Sequence, residues 1–329
     1  MEHKIIEDRN NVKRFVSADI DRQLIQMRGV KFAAYRNEFD LARSKHIRPD
    51  RPTDLYLELV SWCNLSCKMC MRSFKKITPE SKSFMSMEMV EKLSAQAKEL
   101  QIPTIWLGAF TEPTLHPNFA EVTRKFAEAQ PLDYWLTTNG TLLSDSVCEL
   151  ITDIPLTKLC VSLDAATPQN YKRIRGGDLD TVERNIHRFL EIREKKKSKL
   201  PFLRVTFVEQ DDNRDEFESF VEKWRNIADV VDLQKLFDFS LADKVISELA
   251  PAQDSDFKCH GPFYLLTVKH DGKIFPCCSA MYEKEPYFNI NDISIGDYWN
   301  HPDSIKFAEM INKKVYIDCC KRCMSCVRF

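Results

Sequence analysis

The sequence predicts an α/β protein built on a parallel sheet, followed by a smaller cysteine-bearing region. Six short runs of apolar, β-prone residues recur between residues 55 and 237, and amphipathic helical stretches separate most of them. Strands that alternate with helices form a parallel sheet covered by helices. Because parallel crossovers are right-handed, the sheet either curls toward a barrel or opens into a doubly wound stack. In both cases a functional site is expected at the carboxyl ends of the strands.

The predicted elements follow one another in order along the chain. The first 50 residues are polar and helix-prone, and an imperfect helical period from Asp19 to about Ser44 predicts one or two helices on the outside of the main domain. Two prolines in HIRPDRPTD then end the helical pattern. The six strand runs are LYLELV (55–60), TIWLGAF (104–110), DYWLTTN (133–139), KLCVSLD (158–164), FLRVTFV (202–208) and VVDLQKLF (230–237).

Helix starts are indicated between several of these runs. Ser86 is expected to cap a helix that extends to about residue 100, because its hydroxyl can accept a hydrogen bond from the first turn. Two further starts resemble capping boxes, each ahead of an apolar stripe. These boxes are Asp180 with Glu183 and Asn213 with Glu216.

The alternation of strands and helices stops after about residue 240. There PFYLLTV and KIFPC flank KHDG, whose Asp-Gly pair predicts a β-hairpin. A second, smaller region therefore starts near this point. The predicted division is a helical N-terminal extension (1–50), an α/β core (51–245) and a C-terminal region with a hairpin (246–329).

The composition argues against several classes of function. The chain has 48 basic and 49 acidic residues and a formal net charge of −1. This balance gives no electrostatic reason to expect a nucleic acid or an anionic membrane as partner. No apolar run approaches the roughly 20 residues of a membrane span, and MEHKIIEDRNNVKRF contains no secretory signal. A cytoplasmic location is predicted.

The chain contains 12 cysteines, and they are clustered. Three fall within eight residues, and seven lie between Cys259 and Cys326. A chain of this size does not need disulfides for stability, and a reducing compartment disfavours them. Clusters of this kind are more typical of metal binding.

The first cluster, in SWCNLSCKMC, places Cys63, Cys67 and Cys70 just past the first predicted strand. A four-iron cluster normally takes four thiolates, so three leave one iron open to a small ligand. A structural zinc site would need a fourth ligand. His116, in TLHP, is the nearest downstream histidine, and its position fits a helix start instead.

This triad after a first strand, in a six-fold β/α chain, resembles the radical S-adenosylmethionine (SAM) superfamily. The resemblance implies a partial (β/α)6 barrel similar to a TIM barrel. It also implies that the open iron binds the methionyl group of SAM, and that reductive cleavage yields a 5′-deoxyadenosyl radical. One position departs from the family pattern, since the residue before the third cysteine is usually aromatic and here is Met69. A polarizable thioether can still cover a purine face.

Three further segments resemble family motifs in the expected order: LGAFTEP (107–113), TTNG (137–140) and VSLDAATPQNYKRIRGG (161–177). In the first, Thr111 replaces the usual glycine, but the Glu-Pro pair remains. The resemblance implies that Glu112 accepts a hydrogen bond from the methionyl ammonium. It further implies that the ends of the third and fourth strands reach the cofactor or the substrate. The implied contacts are Asn139, Ser162, Asp164 and, as a clamp for the cofactor carboxylate, Arg173 or Arg175.

The C-terminal cysteines form two distant groups across the predicted hairpin. Their spacing fits either a closed four-iron cluster or an all-cysteine zinc site. The order CHGPFYLLTVKHDGKIFPCC, NINDISIGDYWNHPDSIKF and a C-x2-C pair resembles the SPASM or shorter twitch extension of radical SAM enzymes. Because the chain ends at Phe329, the resemblance favours one auxiliary [4Fe–4S] cluster. Its implied ligands are Cys259, Cys277, Cys320 and Cys323, with Cys326 as the alternative to Cys320.

Four cysteines are left outside these ligand sets. Cys278 and Cys319 adjoin ligands and are interpreted as small buried residues, with a hydrogen-atom donor role as the alternative. Cys148 and Cys160 fall on apolar faces of a helix and a strand and are predicted to be core residues.

The resemblance implies an oxidoreductase in which the auxiliary cluster conducts electrons during oxidation or epimerisation of a small polar or carbohydrate-like substrate. Modification of a peptide or protein, as in ribosomal peptide maturases and sulfatase-activating enzymes, is the alternative. The short N-terminal segment favours the small substrate, since peptide modifiers often carry a peptide-binding domain there. A reducing partner such as flavodoxin or ferredoxin is expected. Outside the enzymes, an iron–sulfur electron carrier or a zinc-stabilised module remains as a further hypothesis.

Overall fold

The computed structural model describes residues 4–8, 12–16, 19–74, 82–236, 259–282 and 288–325. Six parallel strands form the centre of an 11-stranded sheet. They are β3 (Asp54–Leu57), β4 (Thr104–Leu107), β5 (Asp133–Thr138), β6 (Lys158–Ser162), β7 (Phe202–Glu209) and β8 (Val230–Lys235). Two strands precede them, β1 (Lys4–Asp8) and β2 (Val12–Val16), and three follow, β9 (Leu265–Val268), β10 (Lys273–Phe275) and β11 (Phe288–Asn289).

Helices cover the outside of the sheet. Those of the N-terminal segment and the core are α1 (Ile20–Arg28), α2 (Val30–Lys45), α3 (Met71–Phe74), α4 (Met87–Glu99), α5 (Phe119–Glu128), α6 (Asp145–Asp153), α7 (Pro168–Arg175), α8 (Leu179–Lys195) and α9 (Phe217–Trp224). Those of the C-terminal region are α10 (Gly261–Tyr264), α11 (Ile295–Trp299), α12 (Pro302–Asn312) and α13 (Asp318–Ser325). None of the helices in the described ranges combines the length and the apolar character that a membrane crossing requires.

The strand order decides between the two predicted architectures. Within the sheet it runs β1-β2-β8-β7-β6-β5-β4-β3-β9-β10-β11, so each central strand lies beside the next one in the chain. A doubly wound sheet would reverse direction partway, whereas constant right-handed progression curls the sheet toward a barrel. The α/β fold with a partial (β/α)6 barrel is therefore confirmed. The described pairings leave the barrel open, because β3 pairs with β9 and β8 pairs with β2.

The core lies between the outward face of this sheet and its helices. Leu55, Leu57, Ile105, Leu107 and Leu136 are each fully buried there, at alternate positions of their strands. Residues at the intervening positions point into the barrel. The alternation therefore leaves a second set of side chains for the interior of the barrel, where the site lies.

The six strand runs predicted from the sequence all form strands, but all except the fifth end earlier than predicted. The second run stops before Gly108, whose φ is +97°, and the fourth stops before Asp164, whose φ is +62°. Left-handed backbone cannot continue a β-ladder. In the first run, Val60 makes only an isolated bridge to Phe84. Residue 237, the last of the sixth run, lies outside the described residues.

The helix starts are partly as predicted. Ser86 accepts a hydrogen bond from the Met89 amide and caps α4. The capping box at Asp180 is wrong, because the N-cap of α8 is Asp178 and the helix begins at Leu179, two residues earlier than a cap at Asp180 requires. The box at Asn213 is also wrong. The side-chain oxygen of Asn213 accepts a hydrogen bond from the Gln210 amide instead, and a short 3-10 turn separates Asn213 from α9.

The termini add to both edges of the sheet. The segment from residue 19 to 45 forms two helices, α1 and α2, as its apolar period predicts. The hairpin β1–β2, which pairs antiparallel with β8, was missed by the sequence analysis. At the other edge, β9 and β10 form the hairpin predicted around the Asp-Gly pair. Because β9 runs parallel to β3, it fixes the C-terminal region beside the first strand of the core.

Candidate active site

A cavity of about 330 Å³ opens at the carboxyl ends of the six central strands. This volume is within the usual range for a small-molecule site. The cavity wall includes every residue that the sequence analysis assigned to the first cluster and the cofactor, apart from the alternative clamp Arg173. Those residues are Cys63, Cys67, Cys70, Met69, Glu112, Asn139, Ser162, Asp164 and Arg175.

The three triad cysteines lie on a loop that forms one side of the cavity. Residues along this loop alternate between exposed and half-buried, and all three cysteines are half-buried. Backbone contacts fix the loop against α7, because the Lys68 amide donates to the Ile174 carbonyl at 2.9 Å and the Cys67 thiol lies 3.9 Å from the Arg175 carbonyl. The loop therefore presents three sulfur atoms to one cavity.

The donor set of this loop fits a four-iron cluster better than a zinc ion. A structural zinc site takes four protein ligands, whereas a four-iron cluster held by three thiolates keeps one iron open to a small ligand. His116 supplies no fourth ligand, since its Nε2 lies 2.8 Å from the Met85 carbonyl and its Nδ1 accepts from the Asn118 amide. As predicted, His116 sits at a helix start.

Burial keeps the free thiols of Cys63 and Cys67 protonated. Burial raises the pKa of the Cys63 thiol, and it raises that of Cys67 to about 11 against the lowering influence of Arg175. Metal coordination requires the thiolate form, and a bound metal lowers a thiol pKa strongly. The triad is thus arranged so that cluster binding and deprotonation occur together.

Glu112 lies at the end of β4 with its carboxylate almost fully buried. Its Oε1 accepts from the hydroxyls of Thr114 and Thr138 at 2.6 and 2.7 Å, and its Oε2 accepts from the Asn139 amide at 2.7 Å. Burial raises the pKa of Glu112, and these hydrogen bonds act in the opposite direction. The result is a rigid carboxylate that faces the cavity beside the triad.

Asn139 joins the third strand to the triad loop. Its Nδ2 lies 3.8 Å from the Cys63 sulfur and donates to Asn64 Oδ1 at 2.8 Å. Its Oδ1 accepts from the Thr141 hydroxyl at 2.7 Å. With these partners, Asn139 holds the position of the first cysteine, a contact that the sequence did not predict.

The two alternative arginine clamps are placed differently. Arg173 is on the surface, where it pairs with Asp212. Arg175 lines the cavity and forms a buried ion pair with Asp164, whose other oxygen accepts from the Val208 amide at 2.8 Å. Burial raises the pKa of Asp164, while Arg175 acts to lower it. Ser162, the last residue of β6 and two residues before Asp164, also lines the cavity.

The sequence analysis missed the opposite wall of the cavity. Tyr56 and Trp106 stack edge to face with ring centroids 4.6 Å apart, and the Trp106 indole donates to the Thr137 hydroxyl at 2.6 Å. Arg204 also lines the cavity, and it pairs with Asp232, the residue that precedes Leu233 on β8. The alternation of buried residues along each strand is the signal that could have identified these side chains.

Cys148 and Cys160, the two core cysteines outside the predicted ligand sets, differ in position. Cys148 is fully buried in α6 and belongs to the apolar core, as expected. Cys160 is buried as predicted, but it lies on the inward face of β6 and lines the cavity. Burial raises the pKa of its thiol, which therefore stays protonated at neutral pH.

The C-terminal cysteines gather beside the same cavity. Cys277, Cys278 and Cys320 pack around Phe275 and Cys319, and Cys320 also contacts the cluster of side chains that includes Cys259. Burial raises the pKa of Cys277, and the neighbouring Cys278, Cys259 and Cys323 raise it further. Cys319 is buried, as the sequence analysis expected, whereas Cys278 is half-buried. Cys326 lies outside the described residues.

The family models match both halves of the chain. The model of the radical SAM superfamily matches residues 57–222, and that of an iron–sulfur cluster-binding domain, SPASM, matches residues 259–326. The first match covers the triad and the strands β4 to β7 of the core. The second covers the hairpin β9–β10 and the C-terminal cysteines.

Curated relatives resemble parts of the chain. A tungsten-containing aldehyde ferredoxin oxidoreductase cofactor-modifying protein of Pyrococcus furiosus is 24% identical over 74% of this chain and 65% of its own length. A GTP 3′,8-cyclase of Syntrophomonas wolfei is 33% identical over 41% of this chain and 42% of its own length. The chain thus spans less than two thirds of the length of these relatives.

Solved structures share the fold at low sequence identity. SuiB of Streptococcus suis, bound to the precursor peptide SuiA, superimposes with a TM-score of 0.61 at 14% identity over 90% of this chain and 75% of its own. BtrN in complex with AdoMet and 2-DOIA gives 0.53 at 18% identity, over 82% and 91%. These likenesses show the fold, and the family models show that the chain belongs to the radical SAM superfamily, with a SPASM region, SAM and [4Fe–4S] clusters as its cofactors.

Proposed function

We propose that this enzyme cleaves SAM reductively and uses the resulting 5′-deoxyadenosyl radical to abstract hydrogen from a small polar or carbohydrate-like substrate, which is then oxidised or epimerised. The observation that carries the proposal is the meeting of three features in one cavity. The triad cysteines, the buried Glu112 and the Asp164–Arg175 pair all line it. A structural zinc protein or a simple electron carrier would have no need of Glu112, Asp164 or Arg175 in that cavity.

In this proposal the triad binds a [4Fe–4S] cluster, which supplies the electron for SAM cleavage. Glu112 accepts a hydrogen bond from the methionyl ammonium, since a carboxylate fixed by three donors is already oriented for a cation. Asn139 maintains the position of Cys63, and Met69 covers the adenine. Ser162 and the Asp164–Arg175 pair form the adjoining wall, with the guanidinium toward the cofactor carboxylate.

Side chains common to the cavity and to the region of the C-terminal cysteines support a role for the auxiliary cluster in electron transfer. Ala109 and Phe110 line the cavity and also pack against the buried cluster of Phe275 and Cys319, which Cys277 and Cys278 contact as well. Tyr56 lines the cavity as well, and the nearby Cys278 contributes to the raised pKa of its phenol. An auxiliary cluster on Cys259, Cys277, Cys320 and Cys323, or with Cys326 in place of Cys320, would therefore lie one layer of side chains from the substrate.

The described lining of the cavity supports a small polar substrate. The lining includes the hydroxyl groups of Thr137, Ser162 and Thr206 and the aromatic rings of Tyr56 and Trp106. Aromatic faces and hydrogen-bonding groups together suit a polar ring. The relatives named as a cofactor-modifying protein and a GTP cyclase are also named for small molecules.

Modification of a peptide is the second candidate. Its specific support is the likeness of this fold to SuiB bound to the precursor peptide SuiA, and to anSMEcpe with bound AdoMet and the Cp18Cys peptide. The two candidates differ in the size of substrate that must enter the cavity. A peptide would leave most of its surface outside the described cavity, whereas a small ring would be enclosed.

The test begins with anaerobic reconstitution, iron and sulfide counts, and incubation with SAM and dithionite. We expect about eight irons for two four-iron clusters and release of 5′-deoxyadenosine. A variant with Cys63, Cys67 and Cys70 all changed to alanine should bind about four irons and release none. A colourless, zinc-containing protein that leaves SAM intact would refute the proposal.

Substrate class is tested with the same enzyme. Perdeuterated aminocyclitols and a peptide library labelled with deuterium would be offered in separate reactions. Deuterium transfer from a small ring into 5′-deoxyadenosine supports the first candidate, whereas transfer from peptides alone replaces it with the second.

A further inference from the structure

The residue before Glu112 lines the active-site cavity and differs from the family pattern. Thr111 is found where the radical SAM superfamily usually has a glycine. It is less than one tenth exposed, and it is one of the residues that form the cavity wall. A glycine has no side chain to offer at this point. Any contact between the Thr111 hydroxyl and a bound molecule therefore goes beyond the family pattern.

The Thr111 hydroxyl is buried without a hydrogen-bond partner among the residues that the structure describes. A buried polar group in this state is unfavourable, because it gives up its hydrogen bonds to water and gains none in return. The other hydroxyls around Glu112 are in the opposite situation, since Thr114 and Thr138 both donate to its carboxylate. Of these three threonines, Thr111 is the one whose hydroxyl is available to a ligand.

Backbone contacts place Thr111 beside the triad loop. The Glu112 amide donates to the Trp62 carbonyl at 3.4 Å, and Trp62 directly precedes Cys63. The hydroxyl and the methyl group of a threonine are attached to the same carbon, so a rotation about χ1 from one staggered position to the next exchanges them. Since Thr111 lines the cavity, such a rotation directs the hydroxyl at a bound molecule without any movement of the backbone.

We propose that the Thr111 hydroxyl binds the methionyl amino group of SAM together with Glu112, and that it thereby increases the affinity for the cofactor. The amino group carries more than one N–H, whereas the Glu112 carboxylate already accepts hydrogen bonds from Thr114, Thr138 and Asn139. A hydroxyl oxygen has two lone pairs and accepts a further N–H. The bound cofactor in return supplies a partner for the buried hydroxyl.

The inference rests on the assignment of Glu112 to the methionyl amino group, and the experiment separates the two. Thr111→Val keeps the shape of the side chain and removes the hydroxyl, whereas Thr111→Ser keeps the hydroxyl. Each reconstituted holoenzyme is titrated anaerobically with SAM in a calorimeter, and its unfolding in urea is followed without SAM. The control is Thr157→Val, at the amino end of β6, where the buried hydroxyl donates to Asp133 and accepts from the Tyr134 amide.

We expect Thr111→Val to bind SAM with a dissociation constant about tenfold higher, and Thr111→Ser to stay within about threefold of the unmodified enzyme. Without SAM, Thr111→Val should unfold at an equal or higher urea concentration, because it removes a buried hydroxyl that has no partner in the described structure. Thr157→Val should show the opposite combination, a lower urea midpoint with unchanged SAM affinity. A purely structural role of Thr111 would not give weaker binding together with undiminished stability.

An analogue of SAM with a carbonyl oxygen in place of the amino group identifies the contact. It should bind Thr111→Val and the unmodified enzyme with equal affinity, because the interaction that the valine removes is already absent. A tenfold difference with this analogue as well would assign Thr111 to another part of the cofactor and overturn the inference. Unchanged SAM affinity in Thr111→Val, with weakened affinity in Glu112→Gln, would also overturn it. Unchanged affinity in both variants would remove the proposed amino-group site itself.

Discussion

Asp164 and Arg175 form a buried ion pair next to Cys67, with each partner less than one tenth exposed. Asp164 is at the end of β6 and Arg175 at the end of α7, so the pair fastens the helix to the strand from which it departs. The Arg175 carbonyl is in turn close to the Cys67 thiol, at 3.9 Å. The pair therefore connects the sheet, the helix and the triad loop at one point.

We predict that Arg175→Ala destabilises the fold by about 3 to 5 kcal/mol, because it leaves the Asp164 carboxylate buried without its partner. The double variant Asp164→Asn with Arg175→Met removes both charges and should recover most of that loss. Urea unfolding of the three proteins measures the difference. SAM binding should remain impaired in the double variant, since the guanidinium is still absent. Unchanged stability of Arg175→Ala would show that the pair contributes little to the fold.

Glu112→Gln should weaken SAM binding without loss of iron. The amide keeps one oxygen for the Thr114 and Thr138 hydroxyls, but its NH2 group faces the Asn139 amide and cannot accept from it. It also lacks the charge that a methionyl ammonium requires. A charge-assisted hydrogen bond contributes about 1.5 to 3 kcal/mol, which corresponds to a dissociation constant roughly 10 to 100 times higher.

Calorimetric titration of SAM into the anaerobic enzyme measures that change. Glu121→Gln, an exposed position on α5, is the matched control and should bind SAM normally. A Glu112→Gln enzyme with unaltered affinity would remove Glu112 from the cofactor site.

Cys277→Ala should lower the iron content from about eight to about four per chain, because it removes one ligand of the auxiliary cluster. Its triad remains intact, so SAM cleavage with dithionite should persist without substrate. Cys148→Ala is the control, since that thiol is also buried but belongs to the apolar core. Iron analysis and electron paramagnetic resonance of the reduced proteins distinguish the two. An unchanged iron count in Cys277→Ala would exclude this cysteine as a ligand.

The sequence was sufficient to predict the central sheet and most of the site. Strand positions follow from short apolar runs, which depend on local pattern alone. The triad loop, Glu112 and Asp164 each lie a few residues past the end of a strand, and in a parallel sheet the strand ends meet at one edge. That geometry brings residues together that are about 100 positions apart in the chain.

The remaining features depend on contacts that no local pattern records. The direction in which the sheet curls decides that Trp106 and Arg204 face a cavity, and the strand order, not the composition of one strand, sets that direction. The Asp164–Arg175 pair joins two residues that the sequence assigned separately to the cofactor. The N-terminal hairpin lies in a stretch that the sequence pattern assigned to helix, and its strand β2 pairs with β8, more than 200 positions later in the chain.

Gly108→Ala should destabilise the fold more than Gly176→Ala. Both glycines have positive φ, at +97° and +76°. A Cβ at Gly108 would lie 2.5 Å from the Thr137 carbonyl oxygen, whereas a Cβ at Gly176 would meet no atom within 4 Å. Left-handed backbone alone costs alanine about 1 to 2 kcal/mol, so the second variant should lose that amount and the first clearly more. Thermal unfolding measures the stability of both variants. Equal losses of stability would show that the backbone around Gly108 can shift to admit a Cβ.

Asp54 should make the fold less stable as the pH rises. It begins β3 inside the barrel, where its Oδ2 accepts from the Thr53 hydroxyl at 2.7 Å, and burial raises its pKa to about 7. The unfolded chain has a pKa near 3.9, so the folded state binds this proton more tightly. The stabilisation is complete below about pH 4, falls as the pH rises toward 7, and is lost above it.

Asp54→Asn removes this titration, so the comparison isolates it from all other groups. Between pH 6 and 8.5 the unmodified protein should lose about 1 to 2 kcal/mol more stability than the variant, as the linkage between pKa and unfolding requires. Urea unfolding at the two pH values measures the difference, with the exposed Asp180→Asn as control for the loss of one carboxylate. If Asp54→Asn and Asp180→Asn show the same pH dependence, Asp54 is ionised in the folded protein at pH 6. In that case the surroundings would stabilise a charge at this position, and Arg36 and the buried Lys158, which both act to lower the pKa of Asp54, are the cations that could provide it.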